Sequence, residues 1–255
     1  MSKIKDDLKN GKSLVGTMIC LFDKPDIIQI LQVSGFDFVI IDCEHGGMDY
    51  SAISGMLGMG KAIGFPVLVR IPGPNREAIL RYMEMGAAGF LLPNCHTADI
   101  ARELVEHALY APAGNRGVSM LRAHAGFKKP ASVTEYMKQA NEDTLLICQI
   151  ESREAVANLD AILDVPGVDA VFVGPNDLSQ SYDLMGQFDH PTVVEAIDKV
   201  AAAGKRHGKY SGIHIVGSTD GLKKWMDKGM TLNLWSNELT MIMNNATQGL
   251  SQLKA

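Results

Sequence analysis

Residues 144–151 read TLLICQIE, and residues 170–177 read AVFVGPND. Each stretch is an apolar run containing β-branched residues, and each ends in a carboxylate, Glu151 in the first and Asp177 in the second. Short apolar runs bounded by turn-forming residues are typical of buried strands. We therefore predict two buried strands, each with an acidic residue just after its carboxyl end.

The chain between these two runs predicts one helix. Ser152 is a suitable N-cap for a helix over residues 153–163, and Pro166-Gly167 would end it before the second strand begins. A strand, a helix and a strand in this order form a right-handed unit whose strands are parallel. Both carboxylates are then expected at the same edge of the sheet, where together they could bind a hard divalent cation.

The same alternation of strand and helix continues along the whole chain. The predicted strands cover residues 14–20, 36–41, 66–69, 89–92, 144–150, 170–173, 210–215 and 231–234. The predicted helices cover residues 25–33, 49–63, 76–85, 98–110, 153–163, 178–182, 191–207, 219–228 and 237–253. Eight strand and helix repeats in 255 residues are typical of a (β/α)8 barrel, so we predict one such domain over residues 1–255, with a long functional loop over 111–130.

Composition narrows the class of protein. Hydrophobic residues make up 46% of the chain and charged residues 21%, which favours a large core, and no apolar run is long enough to cross a membrane. The net charge of -5 argues against a nucleic-acid partner. The first twelve residues are polar rather than signal-like, so a cytoplasmic location is expected. The four cysteines are widely spaced, which predicts neither a structural zinc site nor disulfides.

Catalytic groups of a (β/α)8 barrel lie at the carboxyl ends of its strands. The polar residues predicted there are Asp42, Glu44, His45, Arg70, Gln149, Glu151 and Asp177.

Glu151 and Asp177 offer oxygen ligands of the kind that magnesium and manganese prefer, with coordination positions left for water and substrate. The alternative is structural: Glu151 could form a surface salt bridge with Arg153, and Asp177 could cap the short helix that follows it.

His45 could act as a general acid or base, with its ring oriented by Asp42. Arg70 offers a fixed positive charge for a carboxylate or a developing enolate oxygen, or else an ion pair that holds the barrel mouth together. A cation that accepts a 2-oxo acid would stabilise the enolate formed when a carbon–carbon bond breaks. The other route to an enolate is a Schiff-base lysine, but no predicted strand carries a lysine in its interior or at its carboxyl end.

These residues coincide with the pattern of a known family. The motifs that carry the resemblance are Asp42-Cys43-Glu44-His45, Val69-Arg70, residues 112–118 (PAGNRGV), Gln149-Ile150-Glu151 and residues 174–179 (GPNDLS). From about residue 15 to residue 217, the sequence resembles the HpcH/HpaI family of metal-dependent (class II) pyruvate aldolases.

The resemblance implies a barrel whose last helix is exchanged between the subunits of a dimer, with dimers assembled as a hexamer. It implies that Glu151 and Asp177 bind Mg2+ or Mn2+, with Co2+ and Zn2+ as further candidates. By the same resemblance, Arg70 would hold the oxo or enolate oxygen, and His45 with Asp42 would be the acid–base group.

The resemblance also assigns supporting roles. Gln149 would lie near the bound pyruvate, and the backbone of Gly174, Pro175 and Asn176 would contact the pyruvate carboxylate. Glu84 stands where the family has an acidic residue of the polar network at the site.

The sequence departs from the family pattern after strand eight. Relatives commonly have a small turn with Gly and Asp there, whereas this chain has a bulky Trp235. We therefore expect a different acceptor pocket or subunit contact at Trp235. Val118, Met120 and Leu121 of the long loop are predicted to line the acceptor pocket.

The predicted reaction is the reversible cleavage of a 4-hydroxy-2-oxo acid to pyruvate, or a close 2-oxo acid, and an aldehyde. One alternative is a lyase of the malyl-CoA or citramalyl-CoA type, which shares the enolate chemistry but uses a thioester. The other is a non-catalytic barrel that binds a small acid, since a fold does not fix a function.

Overall fold

Eight parallel strands close into a barrel, each hydrogen-bonded to its neighbours in chain order, in the computed structural model, which describes residues 3–254. The strands are β1 (Leu14–Ile19), β2 (Val39–Asp42), β3 (Val67–Arg70), β4 (Gly89–Leu92), β5 (Leu145–Ile150), β6 (Ala170–Val173), β7 (Tyr210–Ile215) and β8 (Leu232–Asn237). The barrel closes through parallel pairing of β1 with β8. The predicted (β/α)8 fold is thereby confirmed.

Helices surround the barrel and connect its strands. In chain order they are α1 (Lys3–Lys9), α2 (Asp26–Val33), α3 (Tyr50–Ile63), α4 (Arg76–Met85), α5 (Ala98–Ala108), α6 (Val133–Asp143), α7 (Arg153–Ala157), α8 (Leu159–Leu163), α9 (Pro175–Ser181), α10 (Pro191–Arg206), α11 (Thr219–Asp227) and α12 (Glu238–Leu253). None of the described helices is both long and apolar enough to cross a membrane.

The alternation of side chains along each strand divides the core into two parts. One part fills the barrel interior, where Phe38 and Ile40 pack with inward-facing residues of the other strands. The other part lies between the outer face of the strands and the helices, and it includes Val39 and Ile41. The side chains of β2 thus alternate between the two cores, and the same parity decides which residues face inward at the barrel mouth.

Helix α1 was not predicted, and it closes the amino end of the barrel. Ile4 and Leu8, one helical turn apart, are buried against the interior core. Lys5 donates a hydrogen bond from Nζ to the carbonyl of Thr144 at 2.7 Å and forms an ion pair of 2.9 Å with Asp169. The charged residues around Ile4 and Leu8 hid this short apolar pair in the sequence.

Other element boundaries also differ from the predictions. Helix α6 was missed, and the single helix predicted over 153–163 is two short helices that meet at Asn158. Strand β8 runs on to Asn237 instead of ending at Leu234, with an irregular register against β1. Its Ser236 has a φ of 59°, a left-handed conformation that is uncommon for a residue with a side chain.

Candidate active site

The inward parity of the strands brings most of the predicted site residues together. In β2, Phe38 and Ile40 face the interior, so Asp42 at the strand end faces it too. Leu68 of β3 and Ile147 of β5 also face the interior, so the residues two positions later, Arg70 and Gln149, face it as well. The polar end positions thus converge on one cavity at the carboxyl end of the barrel.

This catalytic cavity has a volume of about 540 Å³. Its predicted lining residues are Asp42, His45, Arg70, Gln149, Gly174, Pro175, Asn176 and Asp177, and its further lining residues include Met18, Cys20, Phe172, Phe188, His214, Lys224 and Asn237. A concave cavity with a few convergent polar groups is typical of a small-molecule site.

Arg70 is buried at the cavity wall and is held by two carboxylates. Its Nε and Nη2 donate to the two carboxylate oxygens of Asp42 at 2.9 and 2.6 Å, and its Nη1 lies 3.2 Å from Oε2 of Glu44. Burial alone would raise the pKa of Asp42, but the hydrogen bonds and the charge of Arg70 bring that pKa below its usual value. Arg70 therefore stays charged and has a fixed orientation at the cavity.

Glu151 is buried and does not pair with Arg153, whose guanidinium instead contacts Asp183. The backbone N–H of Asn94 donates to Oε1 of Glu151 at 2.7 Å, and Nε2 of Gln149 donates to Oε2. The alternative of a surface salt bridge between Glu151 and Arg153 is therefore wrong. Burial raises the pKa of Glu151, the two hydrogen bonds oppose that rise, and the charges of Asp177 and Glu44 add to it.

Asp177 lies in the first turn of α9, with Gly174 at the N-cap position. Asp177 therefore does not cap this helix, which begins at Pro175 rather than at the predicted Leu178.

The donor set fits a hard divalent cation. Burial raises the pKa of Glu151 and of Glu44, and the negative charge of Asp177 adds to both rises, so these charges lie close enough to repel. The Oε1 atom of Gln149 is buried and has no hydrogen-bond partner. A cation would relieve this repulsion, and these oxygens are its preferred ligands. Residues 3–254 contain no cluster of three or more His, Cys, Asp or Glu side chains arranged to hold a metal.

His45 lies at the rim of the cavity, with 69% of its side chain exposed. Its Nε2 is 3.9 Å from Oε2 of Glu44, while its backbone N–H donates to Oδ1 of Asp42 at 3.2 Å. Asp42 thus contacts His45 through the backbone, and its carboxylate binds Arg70. The imidazole is free to reach a substrate in the cavity.

Three residues at the site were not given roles by the sequence. Glu44 links Arg70 to Asn94, whose Nδ2 donates to Oε1 of Glu44 at 3.3 Å. His214 lines the cavity from the end of β7, and its Nε2 lies 2.8 Å from the carbonyl of Ser236. Parity along β7 could have identified His214. Tyr210, four residues earlier, packs against the interior core, so His214 lies on the same face of the strand.

Glu84, which the family resemblance placed at the site, lies away from the cavity within a single chain. It lies near the end of α4, and its Oε2 is 3.7 Å from Nε of Arg122 on the long loop. Helices of a barrel run back from the carboxyl to the amino end of the strands, so the end of α4 is far from the cavity mouth.

The residues predicted for the acceptor pocket also do not line the catalytic cavity. Val118 and Leu121 are exposed on the long loop, which packs beside α4. Trp235 faces outward from β8 and stacks on Phe36, with ring centroids 6.2 Å apart, in a groove beside α12. Trp235 does not line the catalytic cavity of one chain, because the parity of β8 turns its side chain away from the barrel interior. The alternative expectation, a subunit contact at Trp235, stays a prediction.

Comparison with known proteins identifies the family. The sequence model of the HpcH/HpaI aldolase/citrate lyase family matches residues 18–244. The chain belongs to this family. It is 34% identical over 232 residues to a 5-keto-4-deoxy-D-glucarate aldolase of Klebsiella pneumoniae, an alignment that covers 91% of this chain and 89% of the relative. A protein of the same name from Escherichia coli O6:H1 is 33% identical over 250 residues, which cover 98% of this chain and 95% of the relative.

A solved structure supports the same assignment. The HpcH/HpaI aldolase from Desulfitobacterium hafniense DCB-2 superposes with a TM-score of 0.95 at 35% sequence identity, covering 100% of this chain and 97% of that one. The predicted family is confirmed, and so is the predicted class of enzyme, an aldolase-type lyase.

Proposed function

We propose that this protein is a divalent-metal-dependent aldolase that reversibly cleaves a 4-hydroxy-2-oxo acid to pyruvate, or a close 2-oxo acid, and an aldehyde. The observation that carries the proposal is the buried Glu151 with Asp177 and the unpaired Oε1 of Gln149 beside the fixed guanidinium of Arg70. Asp177, Gln149 and Arg70 line one cavity, and Glu151, which accepts a hydrogen bond from Gln149, is buried next to them. This arrangement offers oxygen ligands for a cation and a positive charge for an oxyanion.

Glu151 and Asp177 would hold Mg2+ or Mn2+, which when bound stabilises negative charge on the carboxylate and 2-oxo oxygens of the substrate. Arg70 adds a second positive charge for the 2-oxo oxygen as it becomes an enolate oxygen. The two hydrogen bonds that Arg70 donates to Asp42 keep the guanidinium in place, so little reorganisation is needed when that charge develops. Gln149 and the backbone of residues 174–176 would orient the pyruvate part.

His45 is proposed to move the proton. In cleavage, the 4-hydroxyl loses its proton towards the imidazole, the bond between C3 and C4 breaks, and its electron pair forms the enolate. A proton added to C3 then gives the methyl group of pyruvate. The exposed position of His45 at the cavity rim allows it to exchange that proton with water.

The curated relatives suggest a class of substrate. Counted from its oxo end, a 5-keto-4-deoxyglucarate is a 2-oxo-3-deoxy-4-hydroxy diacid. Cleavage between its C3 and C4 gives pyruvate and a three-carbon aldehyde that carries a carboxylate. We propose a hydroxy-oxo diacid of this kind for the present chain. Lys224 at the cavity wall, whose Nζ lies 3.1 Å from Oδ1 of Asp189, would exchange this partner for the distal carboxylate.

We further propose a homo-oligomer in which the last helix is exchanged between subunits, with a hexamer as the assembly. Among the residues of α12, only Glu238 is buried. Ile242, Met243, Leu250 and Leu253 are exposed along the helix. A row of exposed apolar residues on a terminal helix is typical of a surface covered by another subunit.

The metal requirement tests the proposed reaction. Purified protein is treated with chelator, and pyruvate released from a 4-hydroxy-2-oxo acid is measured before and after Mg2+ or Mn2+ is added back. We expect activity to be lost and then restored. Glu151→Gln is expected to lower kcat/KM by at least about 100-fold, because changes even outside the first ligands cost about 10- to 100-fold.

The matched control is Glu154→Gln, which changes an exposed acid three residues away and should leave the rate unchanged. Full activity after thorough chelation, or in a protein with both Glu151→Gln and Asp177→Asn, would contradict the proposal. Turnover of an acyl-CoA without turnover of free aldehydes would instead favour the malyl-CoA type of lyase.

A further inference from the structure

A second cavity, of about 450 Å³, lies on the outside of the barrel near the amino ends of β3 and β5. We call it the Arg116 cavity. It is bounded by α3, α4, α6 and the long loop, and its polar lining residues include Lys61, Arg116, His124, Tyr136, Gln139 and Thr144. The catalytic cavity opens at the other end of the strands, so the two cavities are separate.

Arg116 is the central feature of this cavity. Arg116 is only 6% exposed, and the Cζ atom of its guanidinium lies over the ring of Tyr110, 4.4 Å from the ring centroid. Its Nε and Nη2 atoms are buried and have no hydrogen-bond partner, and no carboxylate of the described residues forms an ion pair with it. An arginine stays charged in a protein, and an unpaired buried donor is costly. A stacked tyrosine offers a cation–π contact but no acceptor for these N–H groups.

Arg70 shows which groups bind the guanidinium edge formed by Nε and Nη2. In Arg70, the same two atoms, Nε and Nη2, donate to the two carboxylate oxygens of Asp42 at 2.9 and 2.6 Å. In Arg116 the equivalent edge is equally buried but has no oxygens opposite it. A planar pair of donors of this kind matches a carboxylate or a phosphate.

Neighbouring groups supply further donors. The Nζ of Lys61 donates to the carbonyls of Ala123 and His124, so an ammonium group already lies beside the long loop. Nδ1 of His124 is buried without a partner, and burial together with the charge of Arg116 lowers the pKa of His124 to about 4.

The acidic groups near the cavity are engaged elsewhere. Glu84 faces Arg122, and Asp143 accepts a hydrogen bond from Nε2 of Gln139 at 2.9 Å. Neither carboxylate is within ion-pair distance of Arg116, so among residues 3–254 no carboxylate forms an ion pair with the guanidinium of Arg116.

We propose that the Arg116 cavity binds a small oxyanion, a carboxylate or phosphate group, through Nε and Nη2 of Arg116. Because Arg116 and His124 both belong to the long loop while Lys61 belongs to α3, a bound oxyanion fixes that loop against the barrel. The site is independent of the proposed aldol reaction.

Inorganic phosphate is the probe, and the full-length protein is used with Mg2+ and pyruvate present to occupy the catalytic cavity. Isothermal titration is expected to show saturable binding. Arg116→Met keeps the length of the side chain and removes its charge, and it should weaken binding by about 10- to 100-fold, as expected for the loss of charge-assisted hydrogen bonds. The matched control is Arg102→Met, which removes an exposed arginine of α5 and should leave binding unchanged.

Trypsin gives a second readout, because Arg122 and Lys128 lie on exposed parts of the long loop. Phosphate should slow cleavage there in the wild-type protein but not in Arg116→Met. If Arg116→Met does not fold, wild-type crystals soaked in selenate should show anomalous scattering beside Arg116.

Three results would overturn the proposal. They are the absence of saturable phosphate binding, phosphate binding that Arg116→Met leaves unchanged, and selenate found only in the catalytic cavity. A dissociation of subunits in Arg116→Met, with no phosphate bound by the wild-type protein, would show that a second copy of the chain supplies the carboxylate instead.

Discussion

Gly174 sets the distance between α9 and the end of β5. A Cβ atom at this position would overlap Oε2 of Glu151 and would lie 2.7 Å from Nε2 of Gln149. The absence of a side chain therefore allows the backbone that precedes Asp177 to approach Glu151 closely. This approach brings the two proposed metal ligands to one site.

Gly174→Ala should therefore displace Glu151 and Gln149. We expect activity to fall by more than about 10-fold, and the free energy of unfolding to decrease by about 1–3 kcal/mol, the usual cost of overpacking. Kinetics and urea unfolding measure the two effects.

The control for this change is Gly47→Ala, on the loop that follows His45. A Cβ atom at Gly47 would meet nothing within 4 Å, so stability should change by less than about 0.5 kcal/mol. Wild-type activity in Gly174→Ala would show that the close approach is not required.

Strand parity explains why some site residues could be predicted and others could not. Asp42, Arg70 and Gln149 follow apolar strands, so their positions at the mouth of the barrel follow from the fold. The roles of Asn94 and Glu238 could not be predicted. Asn94 has a φ of 53° and binds Glu151 through its backbone, and the carboxylate of Glu238 accepts hydrogen bonds from the backbone of residues 20–22. Such contacts depend on tertiary geometry that residue type does not encode.

At the level of single elements, the glycines of α3 differ in what surrounds them. A Cβ atom at Gly60 would overlap Cγ2 of Val67 and lie 2.9 Å from the carbonyl of Phe65, so here the helix packs directly on β3. Gly58, two residues earlier, is exposed, and a Cβ atom there would meet nothing within 4 Å. Close packing on the sheet therefore applies to Gly60 and not to Gly58.

The two glycines make a matched pair for a stability experiment. Gly60→Ala should lower the free energy of unfolding by about 1–3 kcal/mol, because the added methyl group overpacks the contact with β3. Gly58→Ala should raise it by about 0.5–1 kcal/mol through the better helix propensity of alanine. Denaturant unfolding measures both, and equal effects of the two substitutions would contradict this account of α3.

Helix α6 shows where prediction of elements from sequence failed. None of its residues is buried, although Val133, Tyr136, Met137 and Ala140 have the i, i+3, i+4, i+7 spacing by which surface helices are recognised, so this signal was present in the sequence and was overlooked. Its position is fixed by Asn141, which exchanges two hydrogen bonds with the backbone of Tyr110, at 2.7 and 2.8 Å. The strands were predicted well because burial on both faces makes them continuous apolar runs.

For the whole molecule, the exposed apolar residues of α12 predict an assembly. Leu250 and Leu253 are 51% and 84% exposed, and Val33 of the adjacent α2 is 77% exposed. Changing both Leu250 and Leu253 to Lys should lower the mass measured by light scattering, because charges cannot be buried unpaired at an interface. Gln252→Lys adds a charge at an exposed polar position and is the control. An unchanged mass in the double variant would contradict exchange of this helix.

Some of the residues predicted for the active site line the catalytic cavity of a single chain, and others do not. One chain brings together the groups proposed to bind the pyruvate part, which come from β2, β3, β5 and the start of α9. Glu84, Val118 and Leu121, predicted from the family resemblance, lie outside it. The sequence therefore predicted the barrel and the strand-end residues, whereas the positions of residues on loops and outer helices depend on packing that the pattern of strands does not determine.

The central claim is that Glu151 and Asp177 support formation of an enolate, and exchange of the methyl protons of pyruvate tests it most directly. The exchange is followed by NMR in deuterated water and needs no knowledge of the natural aldehyde. Wild-type protein with Mg2+ or Mn2+ should replace the methyl protons with deuterium, and chelation or the combined change of Glu151→Gln and Asp177→Asn should stop this. Exchange at the wild-type rate without metal, or in that double variant, would contradict the account.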